Sequence, residues 1–314
     1  MKTPQKPYPE LAKKLGLPEL WFKREDLHPY GSHKGRSIPL MIKEYAKMGI
    51  TQFVISSSGN AALAAIIAVQ KHNQNNKANS SLTVFVGKNI DPKKLQHLQK
   101  EISSTNIKIE QVENPKQSAF QAEKNSSSAD STSTSSLRSE PSGSKTVQVK
   151  NLRQSTDELA LRGYIELGED LAKIPNLQAV FIPTSSGTTA EALGEAFLKM
   201  KKNIQIHVVQ TTACHPIAEM FDKERAEVQT ESIAGAIVDK IAHRKTKVID
   251  AISNTRGSAW IVTNEEIREA VTLIKENTDF VVSYNSALAL AGLLRAQKNN
   301  WTWNGPVCCL ITGR

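Results

Sequence analysis

The sequence predicts an α/β protein with two doubly wound parallel-sheet domains, the smaller inserted into the larger. β-rich runs alternate with helix-like segments, an order that produces parallel sheets with right-handed crossovers. The chain of 314 residues is long enough for two modest domains with buried cores. A serine-rich stretch interrupts this pattern in the middle of the chain. We expect residues 1–49 and 150–314 to form the large domain and residues 50–149 to form the small one.

Composition and charge exclude several classes of protein. The formal net charge is +9, but the basic residues are spread along the chain and are not interleaved with aromatic residues, which argues against nucleic-acid binding. The longest apolar run, Ala61–Val69, is too short to span a bilayer. Cys214, Cys308 and Cys309 lack the spacing of metal ligands or of a disulfide framework. These features predict a cytoplasmic protein with anionic small ligands and with no metal, membrane or nucleic acid.

Elements of the first half are recognised by residue type. Runs rich in β-branched and aromatic residues predict strands. The alanine-rich run Ala61–Val69 contains few polar residues, so we expect a buried helix there. The remaining strands are predicted at Trp21–Arg24, Gln52–Ser57, Leu82–Gly87, Ile107–Val112 and Thr146–Lys150, and the remaining helices at Ser37–Tyr45 and Pro92–Glu101.

The stretch Asn125–Ser144 differs from the rest of the chain. It contains ten serines and two threonines, no aromatic residue and one leucine. Such a segment cannot bury enough apolar surface to offset the entropy lost on ordering. We therefore predict a disordered surface insertion in the small domain.

The second half repeats the alternation of strands and helices. Thr156–Lys173 is predicted to be a helix, because Leu159, Gly163, Leu167 and Leu171 fall on one face. Another helix, Asn264–Glu276, begins with acidic residues that its positive end favours. Further strands are predicted at Leu177–Pro183, Ile204–Gln210, Ala259–Thr263, Phe280–Ser283 and Val307–Ile311, with helices at Ala190–Lys201 and Ser286–Gln297.

Lys34 lies where a turn meets a predicted helix. It belongs to the string Gly31-Ser-His-Lys34-Gly-Arg36, which follows Lys23-Arg-Glu-Asp-Leu27. A lysine held at such a junction can be partly desolvated, which disfavours the ammonium, and the neutral amine is the form that makes a Schiff base. Taken alone, this window is more typical of an ordinary surface lysine.

Two hydroxyl-rich loops each join a predicted strand to a predicted helix. Thr184-Ser-Ser-Gly-Thr-Thr189 has the features of a phosphate-binding loop, because unpaired N–H groups, partial positive charge and hydroxyls meet at the start of a helix. Ser56-Ser-Ser-Gly-Asn60 has the same arrangement. The alternative in both cases is a helix cap. A third segment, Leu310-Ile-Thr-Gly-Arg314, follows an apolar strand.

These four segments, in this order, resemble those of fold-type II pyridoxal-phosphate enzymes, the tryptophan synthase β-like superfamily. The resemblance implies that Lys34 holds pyridoxal phosphate and moves substrate protons. The other roles it implies are Asn60 on the ring hydroxyl oxygen, Ser185, Ser186, Gly187, Thr188 and Thr189 around the phosphate, Thr312 facing the ring nitrogen, and Ser57, Ser58 and Gly59 on the substrate carboxylate. A neutral hydroxyl near the ring nitrogen does not stabilise a protonated ring as an aspartate does, which favours elimination or replacement over transamination.

Within this group the chain looks most similar to threonine synthase. The similarity lies in Glu231–Ile237, Thr263–Ile267 and Phe280–Leu293. It extends to Asn151-Leu-Arg153, which makes Arg153 a candidate substrate-binding residue. Ser283-Tyr284 stands where threonine synthases and dehydratases usually have Glu-Pro, and Ser-His-Lys is similar to the tryptophan synthase β-subunit. The expected activity is that of a carbon–oxygen lyase acting on a small amino acid, and a homodimer is one expected assembly. Serine or threonine dehydratase, cysteine synthase-like β-replacement, and cofactor binding without turnover remain alternatives.

Overall fold

A computed structural model of the chain describes residues 2–128, 148–222 and 230–314. Within these ranges, no helix is both long enough and apolar enough to cross a membrane. The predicted alternation of strands and helices is present, and both sheets are built mainly from parallel strands, which confirms the predicted α/β class.

The chain divides into two compact units. The large unit is Met1–Arg36 with Gln154–Arg314, and the small unit is Ser37–Arg153. The helix that follows Lys34 therefore belongs to the small unit, whereas the sequence places the first boundary at residue 50. The difference arises because this helix packs along the next helix of the small unit.

The described residues contain ten strands and ten α-helices. The strands are β1 Gln5–Pro7, β2 Leu20–Arg24, β3 Gln52–Ser56, β4 Ser81–Gly87, β5 Ile107–Val112, β6 Val149–Asn151, β7 Ala179–Pro183, β8 Gln205–Thr211, β9 Ser258–Val262 and β10 Val307–Ile311. The helices are α1 Pro9–Lys14, α2 Ile38–Lys47, α3 Asn60–Asn76, α4 Pro92–Lys100, α5 Pro115–Ser128, α6 Glu158–Leu171, α7 Thr188–Lys199, α8 Lys245–Asn254, α9 Asn264–Asn277 and α10 Tyr284–Lys298.

The sheet of the large unit has the strand order β1-β2-β10-β7-β8-β9. All neighbouring pairs are parallel except β1 with β2. Helices α1, α9 and α10 contribute to the apolar core on one face, and α6, α7 and α8 contribute to the core on the other. The strands β7, β8 and β10 are buried on both faces, which explains why they are nearly continuous apolar runs.

The small unit has a four-stranded parallel sheet in the order β5-β4-β3-β6. Helix α3 is buried along most of its apolar residues, as its composition predicts, and it packs against α2. Ala119 of α5 packs against Val54 and Phe85 of the sheet. A helix at α5 was not predicted from the sequence.

The start of the serine-rich stretch is helical, which corrects the prediction that disorder begins at Asn125. Residues 125–128 belong to the last turn of α5. The hydroxyl of Ser126 accepts a hydrogen bond from the N–H of Val149 at 3.0 Å, and Glu123 pairs with Lys150 at 2.9 Å. These contacts with β6 hold the end of the helix. The remainder of the predicted insertion, residues 129–144, lies outside the described residues.

The predicted strand at Phe280–Ser283 is wrong. Among the described residues this segment joins no sheet, and it leads into α10 with Ser283 as the N-cap residue. The ring of Phe280 packs edge-on against Tyr8 and Phe22, with centroids 5.8 and 5.6 Å away. Its apolar character therefore reflects packing on the core.

His207 is buried in an aromatic cluster of the large unit. Its ring stacks on Phe181 with centroids 4.5 Å apart, and its Nδ1 accepts a hydrogen bond from Trp260 Nε1 at 3.1 Å. The Nε2 lies 3.2 Å from the side-chain oxygen of Gln205, which can only accept, so Nε2 carries the proton. Burial lowers the pKa of His207 to about 3, and the ring is therefore neutral in the folded protein.

We predict that His207 makes folding stability depend on pH. Its pKa is about 6.5 when unfolded and about 3 when folded, so its contribution is complete above pH 6.5 and is lost as the pH falls towards 3. Between pH 7.5 and pH 5.5 the loss is about 1.4 kcal/mol. Urea titrations at both values should show a smaller difference for His207→Gln than for the wild type. His97→Gln, at an exposed position of α4, should keep the wild-type difference; equal behaviour of the two variants would contradict the assignment.

Candidate functional site

Three predicted site segments lie at one edge of the large unit's sheet. Strands β2, β10 and β7 are neighbours and run parallel, so their carboxyl ends reach the same edge. The turn bearing Lys34 follows β2, Thr312 follows β10, and the loop Thr184–Thr189 follows β7. In open α/β sheets this edge is where ligands bind.

Lys34 is half-buried in a 3₁₀ turn, His33–Arg36, that ends at the boundary of the large unit. The backbone on both sides of it is fixed. The N–H of Lys34 donates to the hydroxyl of Ser32 at 3.3 Å, and the N–H of His33 donates to the carbonyl of Thr312 at 2.9 Å. Gly35 packs so closely that an added Cβ would lie 2.3 Å from the ring of His28. The sequence Ser-His-Lys-Gly therefore has a structural reason at each position around Lys34.

His33 supports this turn with its side chain. The ring Nδ1 lies 2.8 Å from the carbonyl oxygen of Thr312, so Nδ1 carries the proton and Nε2 has the lone pair. Burial lowers the pKa of His33 to about 3, which keeps the ring neutral. The two bonds from His33 attach the Lys34 turn to the end of β10.

A buried ion pair holds the other side of the turn. Arg36 forms a bidentate pair with Glu25, with Nε–Oε2 and Nη2–Oε1 distances of 2.8 and 2.7 Å. Both side chains are fully buried. Asp170 accepts from Arg36 at 3.3 Å and from Lys23 at 3.2 Å, so two cations face two carboxylates. Burial lowers the pKa of Lys23, and the nearby Glu25 and Asp170 act in the opposite direction.

Thr312 is buried immediately after β10. Its hydroxyl oxygen lies 3.3 Å from the hydroxyl oxygen of Ser286 in the first turn of α10. The next residue, Gly313, forms a bridge to Ser32. The structure therefore brings Thr312 to the same backbone turn as Lys34, as the predicted site requires.

The loop after β7 opens helix α7 at Gly187. This residue has φ = +92°, and an added Cβ would lie 2.6 Å from Val248 Cγ2. A side chain is therefore excluded here for backbone and packing reasons, whatever the loop binds. Thr188 and Thr189 are the first two residues of α7, where N–H groups have no partner within the helix.

Ser185 is engaged within the protein. Its hydroxyl donates to Asp239 Oδ2 at 2.9 Å and accepts from the N–H groups of Val238 and Asp239, each at 3.2 Å. One donor and two acceptor positions are all that a hydroxyl has. Ser185 thus ties the loop to residues 238–239, and a direct bond from it to a phosphate would require one of these bonds to break.

Ser186 and Thr188 face each other, with their hydroxyl oxygens 3.0 Å apart. The Thr188 hydroxyl also reaches the carbonyl of Gln154 at 3.3 Å. Arg244 donates to the same carbonyl at 3.2 Å and to Glu191 of α7 at 3.0 Å. Arg244 therefore braces the base of the loop and its helix together.

The other predicted residues lie at the corresponding edge of the small unit's sheet. Strands β3 and β6 are parallel neighbours. Ser57, Ser58 and Gly59 follow β3, and Asn60 opens α3 with a half-buried side chain. Arg153 follows β6 and is exposed. Within the small unit, the start of a helix and a guanidinium thus occur at the ends of adjacent strands, an arrangement that suits a carboxylate or phosphate.

Sequence reasoning missed three residues at the edge of the large unit. Ser286 lies inside the string that resembles threonine synthase, but only the fold shows that it meets Thr312. Asp239 and Arg244 occur in a stretch without periodic pattern, and no signal in the sequence connects them with the loop after β7. The roles assigned from the resemblance remain predictions at all these positions.

Comparisons with known proteins show what this chain is similar to. A family model described as "Pyridoxal-phosphate dependent enzyme" matches residues 1–313. The chain is 25% identical to a threonine synthase of Methanocaldococcus jannaschii over 321 aligned positions, covering 96% of this chain and 72% of that protein. It is 26% identical to a catabolic L-threonine dehydratase of Staphylococcus aureus over 161 positions, covering 50% of this chain and 46% of that protein. The structure of maize serine racemase, 15% identical, covers all of this chain and 88% of its own, with a TM-score of 0.78, and shows a shared fold.

The residues of the large unit fit pyridoxal phosphate. The cofactor needs a primary amine, donors for a phosphate dianion and a partner for its ring nitrogen. Lys34 offers the amine, the N–H groups at the start of α7 with Ser186 and Thr188 offer donors, and Thr312 offers a hydroxyl, all at one edge of the sheet.

We predict that the Arg36–Glu25 pair is needed for folding stability. Arg36→Met leaves the Glu25 carboxylate buried without its partner, which should lower the free energy of unfolding by about 3–5 kcal/mol. Lys173→Met is the matched control, because it removes a lysine that is 56% exposed from the same Asp170, and it should cost less than about 1 kcal/mol. Urea denaturation followed by circular dichroism is the measurement. Similar losses in both variants would show that the buried pair is not the dominant contribution.

Proposed function

Because this chain belongs to the family of pyridoxal-phosphate-dependent enzymes, we propose that it catalyses elimination or replacement at the side chain of an amino acid. The leading reaction is threonine synthesis from phosphohomoserine, which makes it a carbon–oxygen lyase in type. The observation that supports the reaction class is the neutral hydroxyl of Thr312 at the end of β10, where the ring nitrogen is expected. The similarity to threonine synthase along 96% of the chain supports the substrate.

Each group in the large unit has a defined task under this proposal. When bound, pyridoxal phosphate supplies an electron sink for the carbon atoms next to the amino group. Lys34 holds the cofactor and then, as a free amine, removes and returns substrate protons. Its rigid 3₁₀ turn, fixed by His33 and Arg36, keeps the amine in place for both tasks. Ser186 and the first N–H groups of α7 bind the phosphate, and Ser185 holds the loop to residues 238–239.

Groups in the small unit are proposed to bind anionic and polar parts of the ligands. The start of α3, with Ser57, Ser58 and Gly59, would receive a substrate carboxylate, because helix N-termini favour negative charge. Asn60 would hydrogen-bond the ring hydroxyl oxygen of the cofactor. Arg153 is exposed beside this edge and would pair with an anionic substrate group, for which a phosphorylated homoserine is a natural candidate.

Serine or threonine dehydration is the second candidate. It is supported by the 26% identical threonine dehydratase of Staphylococcus aureus, although that match covers half of this chain. A dehydratase needs no site for a substrate phosphate and releases ammonia, whereas threonine synthesis from phosphohomoserine releases phosphate.

A cytoplasmic location and a homodimeric state are further proposals. Light scattering of the purified protein tests the homodimeric state.

The reaction is tested on purified protein loaded with pyridoxal phosphate. We expect phosphate and threonine from phosphohomoserine, and no ammonia from serine or threonine. Borohydride should fix the cofactor to Lys34 in a peptide identified by mass spectrometry. Lys34→Ala should abolish both turnover and fixation, and Lys43→Ala, at an exposed position of α2, should abolish neither. Ammonia release without phosphate release would favour the dehydratase. Bound cofactor without turnover on any of these substrates would reduce the function to binding.

Ser186→Asp tests the phosphate site without disturbing Gly187, whose positive φ makes substitutions there ambiguous. An aspartate near the start of α7 is favourable for the helix but opposes a bound dianion. Repulsion between charges about 4 Å apart is roughly 4 kcal/mol at an effective dielectric near 20, which is about a thousandfold in affinity. Titration with pyridoxal phosphate should therefore show this loss for Ser186→Asp but not for the neutral Ser186→Asn. Equal affinities of the two variants would remove this loop from the phosphate site.

A further inference from the structure

Helix α7 has a buried carboxylate in its first turn. Glu191 lies one helical turn after the N-cap residue Gly187, to whose carbonyl its N–H donates at 3.0 Å. Its side chain is only 5% exposed. Under the proposed function, the cofactor phosphate binds at the start of this same helix. A buried carboxylate at this distance repels a dianion, and buried charges are screened less than exposed ones. The phosphate site therefore needs a positive charge that compensates Glu191.

Arg244 supplies a positive charge at this carboxylate. Its Nη1 donates to Glu191 Oε2 at 3.0 Å, and its side chain is also 5% exposed. The same Nη1 donates to Glu158 Oε1 at 3.2 Å, but the Glu158 side chain is 80% exposed. Its Nη2 donates to the carbonyl oxygens of Gln154 and Asp157 at 3.2 and 2.8 Å. Because solvent screens Glu158, the charge of Arg244 is matched mainly by Glu191.

The guanidinium lies next to the loop that is expected to bind the phosphate. The Cβ of Arg244 is 3.5 Å from the place that a Cβ on Gly187 would take. The Gln154 carbonyl, which accepts from Arg244, also accepts from the hydroxyl of Thr188 at 3.3 Å. The guanidinium is therefore within two hydrogen-bond lengths of a hydroxyl of the loop. Its Nε is buried and has no hydrogen-bond partner among the described residues, so hydrogen bonds alone do not explain a charged side chain here.

Glu191 and Arg244 depend on each other for their charges. Burial raises the pKa of Glu191, whereas the hydrogen bond and the charge of Arg244 lower it. We infer that Arg244 is a charge-balancing residue of the phosphate site, whose guanidinium cancels the repulsion between the buried Glu191 and the cofactor phosphate. This inference rests on the proposed function, which puts the phosphate at the start of α7. Affinity for pyridoxal phosphate then depends on the sum of the two charges and not on either side chain alone.

Glu191→Gln separates the charge of Arg244 from its hydrogen bonds. The variant keeps an oxygen that accepts from Nη1 but removes the negative charge, so the guanidinium becomes a net positive charge beside the phosphate. At an effective dielectric near 20, a unit charge one to two helical turns away changes affinity by roughly tenfold to a hundredfold. Titration of the cofactor-free protein with pyridoxal phosphate should show a dissociation constant lower by this factor. An unchanged or higher dissociation constant would overturn the inference.

A matched variant and a matched ligand serve as controls. Glu158 binds the same Nη1 atom but is exposed, so Glu158→Gln should keep the wild-type dissociation constant to within about threefold. Pyridoxal lacks the phosphate, and its affinity should be equal in Glu191→Gln and in the wild type. A gain of equal size in Glu158→Gln, or for pyridoxal, would indicate a general change in the site and refute a charge effect on the phosphate.

A double variant keeps the inference testable if Glu191→Gln does not fold. Arg244→Met combined with Glu191→Met removes both charges, and apolar residues of similar volume often replace a buried ion pair without loss of stability. The sum of the two charges is unchanged, so the dissociation constant for pyridoxal phosphate should stay within about threefold of the wild type. A loss of about tenfold or more would mean that Arg244 attracts the phosphate or braces the loop by itself, and would reject charge balancing.

The titrations also distinguish failure of the inference from failure of the proposed function. If the wild type binds no pyridoxal phosphate, the proposed function fails and the inference fails with it. If the wild type binds pyridoxal phosphate and its affinity is insensitive to Glu191, only the inference fails.

Discussion

The pairing of β10 between β2 and β7 is the contact on which the large unit depends. β10 is the last strand in the sequence but lies inside the sheet, with Ile311 beside Arg24 and Cys309 beside Phe181. Only when these three strands are parallel neighbours do the Lys34 turn, Thr312 and the loop after β7 reach one edge. The site thus needs segments from both ends of the chain, and its local motifs have no common location before the strands pair. Such pairing across the whole sequence carries a large loop-closure cost, which the apolar β10 offsets by burial on both faces.

The buried Arg36–Glu25 pair is better explained by the backbone position that it fixes than by a net gain in stability over apolar residues. Buried ion pairs are often no more stabilising than apolar residues of the same shape, because desolvation cancels much of the attraction. Here the bidentate geometry fixes the residue two places after Lys34, while His33 fixes the residue before it. A lysine that must hold a cofactor and then move protons needs a backbone that does not shift between the two tasks. The charged pair therefore fixes the position of the 3₁₀ turn.

The sequence predicts features that depend on neighbouring residues, and it does not predict contacts between residues that are far apart in the chain. β10, β5 and the start of α9 were predicted accurately, because residue type and capping are local properties. The loop after β7 was recognised from its hydroxyls, but the positive φ of Gly187 and the engagement of Ser185 by Asp239 depend on residues far away in the sequence. Asn125–Ser128 has the composition of a disordered segment, yet it is helical because β6 offers partners to it. The contact between Ser286 and Thr312 joins an internal helix to the end of β10, and no local pattern encodes it.

Ser283-Tyr284 stands where threonine synthases usually have Glu-Pro. Ser283 is hydrogen-bonded to Gly313, the residue that follows Thr312. Ser283 is the N-cap residue of α10, but its hydroxyl makes no cap bond and donates instead to the carbonyl of Gly313. An ionised glutamate has no proton to donate, so it could not make this bond and would face the carbonyl oxygen with like partial charge. With a serine at this position, the Gly313 carbonyl accepts from both Ser283 and Ser286. The departure from the threonine synthase pattern is therefore connected, through Gly313 and Ser286, to the hydroxyl expected at the ring nitrogen.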